Sequence, residues 1–193
     1  MLNFEKLLQE SVKFHGHLCP GQVLGVRMAI LGLKLIDIHD PKGKDRKSLI
    51  AYVEIDRCAT DAIMSVTGCT PGKRSLKILD NGIMAASFIN LKTGSAFRII
   101  AKEESKEAAS NYFPDIEDKY ERQKQAYKIM SDEELFDIRS IKINIPDYDM
   151  PGRPLKRIKC EKCGDFIQDC KDIAMDGKIL CKSCAYGAYY SYL

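Results

Sequence analysis

Residues 76–101 run Leu76-Lys77-Ile78-Leu79-Asp80-Asn81-Gly82-Ile83-Met84-Ala85-Ala86-Ser87-Phe88-Ile89-Asn90-Leu91-Lys92-Thr93-Gly94-Ser95-Ala96-Phe97-Arg98-Ile99-Ile100-Ala101. Two apolar runs, Leu76 to Leu79 and Ile83 to Ile89, flank Asp80-Asn81-Gly82, whose chemistry suits a tight hairpin turn. Thr93-Gly94 turns the chain again into Phe97 to Ala101. Read locally, the three runs make an antiparallel meander. Together with the helical segments around them they set the expected class as α+β, with a mainly antiparallel sheet and packed helices.

Upstream, Leu49 to Ile55 alternates as a further strand, and Ala59 to Thr67 reads as a helix stopped by Gly68. Phe4, Leu7, Leu8 and Val12 recur at helical spacing, so a short amphipathic helix is expected to end near His15-Gly16. A second helix starts at Pro20, which has no N–H to lose in a first turn, and runs to about Ile38. It is apolar nearly all round, the mark of a buried helix or of one shared with a second protomer. Gly21, Gly25 and Gly32 leave one side of it bare, where another backbone can approach closely; the alternative is mere tolerance of glycine. Downstream, Ile116, Tyr120, Tyr127 and Met130 mark one face of a charged helix, and Ile141, Ile143 and Ile145 alternate on a last strand. Pro146, Pro151 and Pro154 with Gly152 then stiffen a connector. The expected organisation is a core domain over residues 1–145, a linker over 146–157 and a small module over 158–193.

With 193 residues, 45% apolar and 30% charged, the composition is that of an ordinary globular protein, and a net charge of +3 implies neither nucleic acid nor an acidic membrane. The N-terminus has no basic stretch leading into an apolar run, so a cytoplasmic protein is expected. The longest apolar stretch, Val23 to Ile38, is too short to span a bilayer and is broken by Arg27, Lys34 and Asp37. Eight cysteines without a secretory signal then read as metal ligands or reactive thiols before they read as disulfides.

Four of them form two Cys-x-x-Cys pairs, Cys160/Cys163 and Cys181/Cys184, with seventeen residues between. Two such knuckles can close a tetrahedral four-thiolate zinc site, and Phe166-Ile167 and Lys178-Ile179-Leu180, joined by a turn at Asp176-Gly177, supply the strands of a zinc ribbon. An iron site with the same sulfurs is the alternative. So small a module has too little core to fold alone, so the metal would supply about 10 kcal/mol or more of its folding free energy. Cys170 falls outside both pairs. Residues 146–193 carry eight Lys/Arg and seven Asp/Glu, and four thiolates on one Zn²⁺ bring the sum to −1, which makes nucleic acid an unlikely partner. The uncharged aromatic ending, Tyr186 to Leu193, better suits docking on protein.

The second constellation is Phe14-His15-Gly16-His17-Leu18-Cys19-Pro20-Gly21. Alternate residues of an extended segment share a face, so His15, His17 and Cys19 can converge, and imidazole with thiolate suits zinc or a similar transition metal. Cys19 also stands where a helix begins, whose positive end favours a thiolate. The bland alternative is two turn histidines satisfied by backbone bonds and a small buried cysteine. Cys58 and, one helical turn on, Asp61 are the best source of further site residues, since a strand hands over to a helix there. Cys69 lies about 16 Å along an unbroken helix from Cys58 and cannot share one ion with it in one chain. Thr70 and Lys73, in the glycine-flanked turn Gly68-Cys69-Thr70-Pro71-Gly72-Lys73, could cradle an anionic substrate group, although the phosphate-loop pattern is incomplete.

Phe14 to Gly21, then Cys58-Ala59-Thr60-Asp61-Ala62, then Thr67-Gly68-Cys69-Thr70-Pro71-Gly72-Lys73 resemble, in order and spacing, the FmdE-like proteins, a family similar to the FmdE component of tungsten or molybdenum formylmethanofuran dehydrogenase. The resemblance covers residues 10–105, and an appended ribbon is common among these proteins. It implies an α+β core that forms a homodimer, and a metal or substrate pocket around the His-Gly-His-x-Cys turn and Cys58. It also implies association with the system that reduces carbon dioxide onto methanofuran, as an accessory component of a one-carbon redox complex. The turn Pro71-Gly72-Lys73-Arg74-Ser75 departs from the more glycine- and asparagine-rich turn of the family.

Two readings follow. In the first, His17, Cys19 and Cys58 hold a catalytic-type zinc with an open position, and His15 and Asp61 serve as supporting residues or proton carriers. In the second, the chain is a non-enzymatic adaptor whose ribbon and tail recruit a protein partner, with the upstream thiols merely buried.

Overall fold

The computed structural model describes residues 3–193, and the chain divides into two compact units between Ile143 and Asn144. The first unit contains α1 (Phe4–His15), α2 (Pro20–Leu35), β1 (Leu49–Val53), α3 (Cys58–Thr67), β2 (Leu76–Ile78), β3 (Ala85–Asn90), β4 (Ala96–Ala101), α4 (Glu104–Tyr112), α5 (Lys119–Ile129), α6 (Asp132–Leu135) and β5 (Phe136–Ser140). Its five strands run in the order β2-β1-β3-β4-β5, antiparallel except for the β1–β2 pair. The class is α+β.

The first hairpin of the expected meander does not form. β1 lies between β2 and β3, with Ala51 opposite Leu76 on the parallel side and opposite Phe88 on the antiparallel side. Asp80-Asn81-Gly82 does turn the chain, but around the end of β1. Leu79 N–H donates to the Val53 carbonyl at 2.8 Å, and the N–H groups of Asn81 and Ile83 both donate to the Glu54 carbonyl at 3.1 Å. The second hairpin forms as its sequence suggests, with Ala85 opposite Ile100 and Ile89 opposite Ala96.

The last strand also falls earlier than the isoleucine alternation suggests. β5 occupies Phe136–Ser140, and beyond it only the Ile141 N–H continues the pairing, to the Ala96 carbonyl at 3.0 Å. The strand is fixed from its N-terminal side, where a capping box between Ser131 and Glu134 starts α6 and sends Leu135 and Phe136 into the core. The charged region upstream is two helices. In α5, capped by Asp118, Tyr127 is buried while Tyr120 is exposed, so the four expected positions do not form one buried face.

The core lies where α2 covers one face of the sheet, joining Val23, Val26 and Leu33 to Ala51, Val53, Phe88 and Ile99. Burying a side chain such as Phe88 contributes about 2–3 kcal/mol. The bare side of α2 is a site of close approach: a Cβ on Gly25 would stand 2.8 Å from the Ala59 Cα and carbonyl oxygen, and one on Gly32 would run into the Phe88 ring. Arg27, which interrupts the apolar run, donates to the Tyr127 and Met130 carbonyls at 2.9 Å each and to Asp132 at 2.7 Å, closing the end of α5. Among the described residues no helix is long and apolar enough to cross a membrane.

The second unit opens with a 3₁₀ turn (Asp147–Asp149). Two short antiparallel pairs follow, β6 (Arg157–Lys159) with β7 (Phe166–Gln168) and β8 (Ile173–Met175) with β9 (Lys178–Leu180), and then α7 (Lys182–Tyr186). Its buried residues are few, chiefly Cys160, Ile167 and Leu180.

Candidate metal centres

All eight cysteines carry free thiols. In the second unit, Gly164 adopts φ 83° and returns its N–H to the Cys160 carbonyl at 3.0 Å, which folds the first knuckle. Asp176 and Gly177, at φ 51° and 73°, make the β8–β9 turn that the sequence suggests, and Cys181 caps α7 to form the second knuckle. The sulfurs of Cys160, Cys163, Cys181 and Cys184 lie within 4.8 Å of one another, and Cys163 and Cys181 stand 3.8 Å apart. A tetrahedron with metal–sulfur bonds of about 2.3 Å has edges of about 3.8 Å, so the spacing fits one ion. The N–H of Cys163 foremost, and that of Cys181, hold the Cys160 thiol down at about 6 against the opposing effect of burial. It is therefore a thiolate at neutral pH. Cys170 is not one of the four.

In the first unit, α1 ends at His15 because Gly16, at φ 99°, takes a left-handed conformation and caps the helix with an N–H bond to the Val12 carbonyl. The chain then extends through His17 to Cys19, the N-cap of α2. Ligand atoms of His15, His17 and Cys19 lie within 4.8 Å of one another, and the two imidazole centroids are 4.7 Å apart. His15 Nδ1 sits 2.7 Å from Asp61 Oδ2 on α3. An ionised carboxylate only accepts, so Nδ1 carries the proton and Nε2 keeps its lone pair. That Nε2 is buried and has no hydrogen-bond partner among the described residues. A buried, partnerless imidazole nitrogen whose ring is held by a carboxylate is the arrangement of a metal ligand.

Cys58 is the first residue of α3 and borders the same place without belonging to that three-donor group. Its thiol is pushed up by burial first, then by the Cys19 thiol beside it. The structure thus brings together His15, His17, Cys19 and Asp61, with Cys58 alongside. Thr70 and Lys73 lie past the opposite end of α3, about 15 Å away at 1.5 Å per residue. There the Thr70 hydroxyl accepts from the Lys73 N–H at 3.3 Å, and the Lys73 ammonium donates to the Gly68 carbonyl at 3.1 Å. Cys69 is buried, and burial raises its thiol.

One residue of the site escaped sequence reading. Gln22 is fully buried, accepts from Ser11 on α1 through Oε1, and donates through Nε2 to the Cys58 carbonyl at 2.5 Å. It ties together the three helices that carry the site. A lone amide in an otherwise apolar helix was the available signal.

The FmdE family, described as "FmdE, Molybdenum formylmethanofuran dehydrogenase operon", matches residues 14–144, and the chain belongs to it. More particularly, it resembles the solved structure of an FmdE-like protein of tungsten formylmethanofuran dehydrogenase type from Syntrophus aciditrophicus. That likeness has a TM-score of 0.65 and 26% identity, over 98% of this chain and 96% of that one. It is also 29% identical over 202 aligned positions to a probable S-adenosyl-L-methionine-binding protein of Archaeoglobus fulgidus. The alignment takes in 96% of this chain but 54% of that relative, so the chain spans about half its length.

Proposed function

We propose that this chain is a metal-binding accessory protein of the kind represented by the FmdE component of formylmethanofuran dehydrogenase, with zinc at both clusters. The observation that carries the reading is the buried, unpartnered Nε2 of His15. His15, His17 and Cys19 would hold the core ion, and Asp61 fixes the His15 ring through Nδ1. Three protein donors leave a coordination position open, where a bound zinc supplies a Lewis acid and an activated water. The ribbon, with four sulfurs and no open position, would be structural. A homodimer working beside protein partners of one-carbon redox metabolism in the cytoplasm completes the proposal, which the family membership supports.

The test is metal content. The purified chain should hold two metals, and His15→Ala combined with Cys19→Ser should remove one while the ribbon stays loaded. Loss of none would contradict the reading.

A second reading, a non-enzymatic adaptor, is favoured by the tail, where Tyr189 is 98% and Tyr192 86% exposed. It expects deletion of residues 188–193 to abolish association with a protein partner at unchanged metal content.

A further inference from the structure

We propose that Cys19 and Cys58 form a dithiol–disulfide couple that empties the core metal site when it closes; this rests on reading that site as metal-holding. The two cysteines stand at the starts of neighbouring helices. Cys19 is the N-cap of the 16-residue α2, and Cys58 is the first residue of the 10-residue α3. The two N-termini meet because Gly21 lies between them. A Cβ on Gly21 would stand 3.0 Å from the Cys58 Cβ and 3.8 Å from the Cys19 Sγ, so both side chains border the space that this glycine leaves. Gln22 then pins the Cys58 backbone through its carbonyl, and Gly25 keeps the next turn of α3 against α2. Rotation about χ1 is therefore the principal freedom left to the pair.

The chemistry of the two positions differs in a useful way. Cys19 belongs to the three-donor group, whereas Cys58 is a spare thiol beside a ligand. Both stand at helix N-termini, where a thiolate is favoured. With a small-molecule disulfide as oxidant, one protein thiolate attacks it and expels the first small thiolate. The second protein thiolate then attacks the resulting mixed disulfide, forming the Cys19–Cys58 bond and expelling the second. Two protein thiols are oxidised, one small disulfide is reduced to two thiols, and the two protons pass to the leaving groups. Closure removes the Cys19 thiolate from the donor set and leaves two imidazoles, too few to retain an ion tightly. The ribbon contains no equivalent, since all four of its sulfurs face one point and each is needed there.

The test exposes the purified, metal-loaded full chain to glutathione disulfide. Linkage is read by peptide mass spectrometry and released metal by a chromogenic chelator. The expected result is a linked peptide pair containing Cys19 and Cys58, two hydrogens lighter than the sum of its thiols, appearing together with loss of one metal per chain. Cys58→Ser should abolish the linkage and slow the release at least about tenfold, the change expected when the resolving thiol is absent. Separate glutathione adducts on Cys19 and Cys58 in the wild-type chain would overturn the couple, and a linked pair with full metal retention would overturn the gating. A reduced chain holding only the ribbon's metal would instead defeat the metal reading of the core, and the peptide map would still decide the linkage independently.

Discussion

The two cysteine clusters of this chain use similar ligands in opposite ways. The ribbon has four sulfurs and almost no core, with Cys160, Ile167 and Leu180 as its buried residues, so its fold exists because the ligands meet. The first unit buries a continuous apolar core between α2 and the sheet, and its donors stand on helices that would be held together without them. One metal centre makes its domain; the other is mounted on a domain already made. Such a ready-made mount is what a centre with an exchangeable position requires, because the ion can change its ligands without unfolding its support.

The largest expected effect separates the two directly. A strong chelator should unfold the ribbon, whose metal supplies about 10 kcal/mol or more, while leaving the first unit folded. Limited proteolysis and circular dichroism check this, and simultaneous loss of both units would break the comparison.

The next effects fall on the first unit. Glu54 accepts from Arg98 at 2.6 and 2.8 Å in a nearly buried pair at the end of β1, and Glu54→Ala should cost about 2–3 kcal/mol in a denaturant melt. The Arg98 guanidinium holds the Glu54 carboxyl below its ordinary value. Because the folded-state value is the depressed one, this stabilisation is present above the ordinary glutamate value and is lost as pH falls through the folded-state value. The acid limb of the stability curve should therefore flatten in the variant. Gly25→Ala should cost about 1–3 kcal/mol, since its Cβ meets the backbone of Ala59 and α3 must shift. The same variant should weaken the core metal by displacing Cys58 and Asp61 from α2, with ribbon occupancy unchanged.

Smaller still, Asp61→Asn should lower core metal affinity about 10–100-fold, the usual cost of losing a partner that orients a ligand, with no change in the ribbon. A competitive chelator titration reads it. Lys73→Ala should leave both occupancies unchanged, because its ammonium serves the Gly68 carbonyl at the far end of α3.

What the sequence disclosed follows the same division between local and distant causes. The stop of α1 at His15, the start of α2 at Pro20, the Gly68 cap and the ribbon's knuckles and turn are set by residues adjacent in the chain. The Asp80-Asn81-Gly82 turn was also legible, but its neighbours were not, since nothing local tells Leu76–Ile78 to pair with β1. Ile141, Ile143 and Ile145 alternate as a strand should, yet the capping box and Phe136 place the strand before them. In the core site, convergence of His15, His17 and Cys19 could be read from spacing alone. The Asp61 bond to His15 spans 46 positions and that of Gln22 to Cys58 spans 36, and such pairings become visible only in three dimensions.

The most direct measurement is anomalous scattering from crystals of the purified chain, recorded on either side of the zinc absorption edge. The account predicts two peaks per chain, one among Cys160, Cys163, Cys181 and Cys184 and the other bounded by His15 Nε2, His17 and Cys19. A ribbon peak alone, with the His15 ring turned to a different partner, would contradict it.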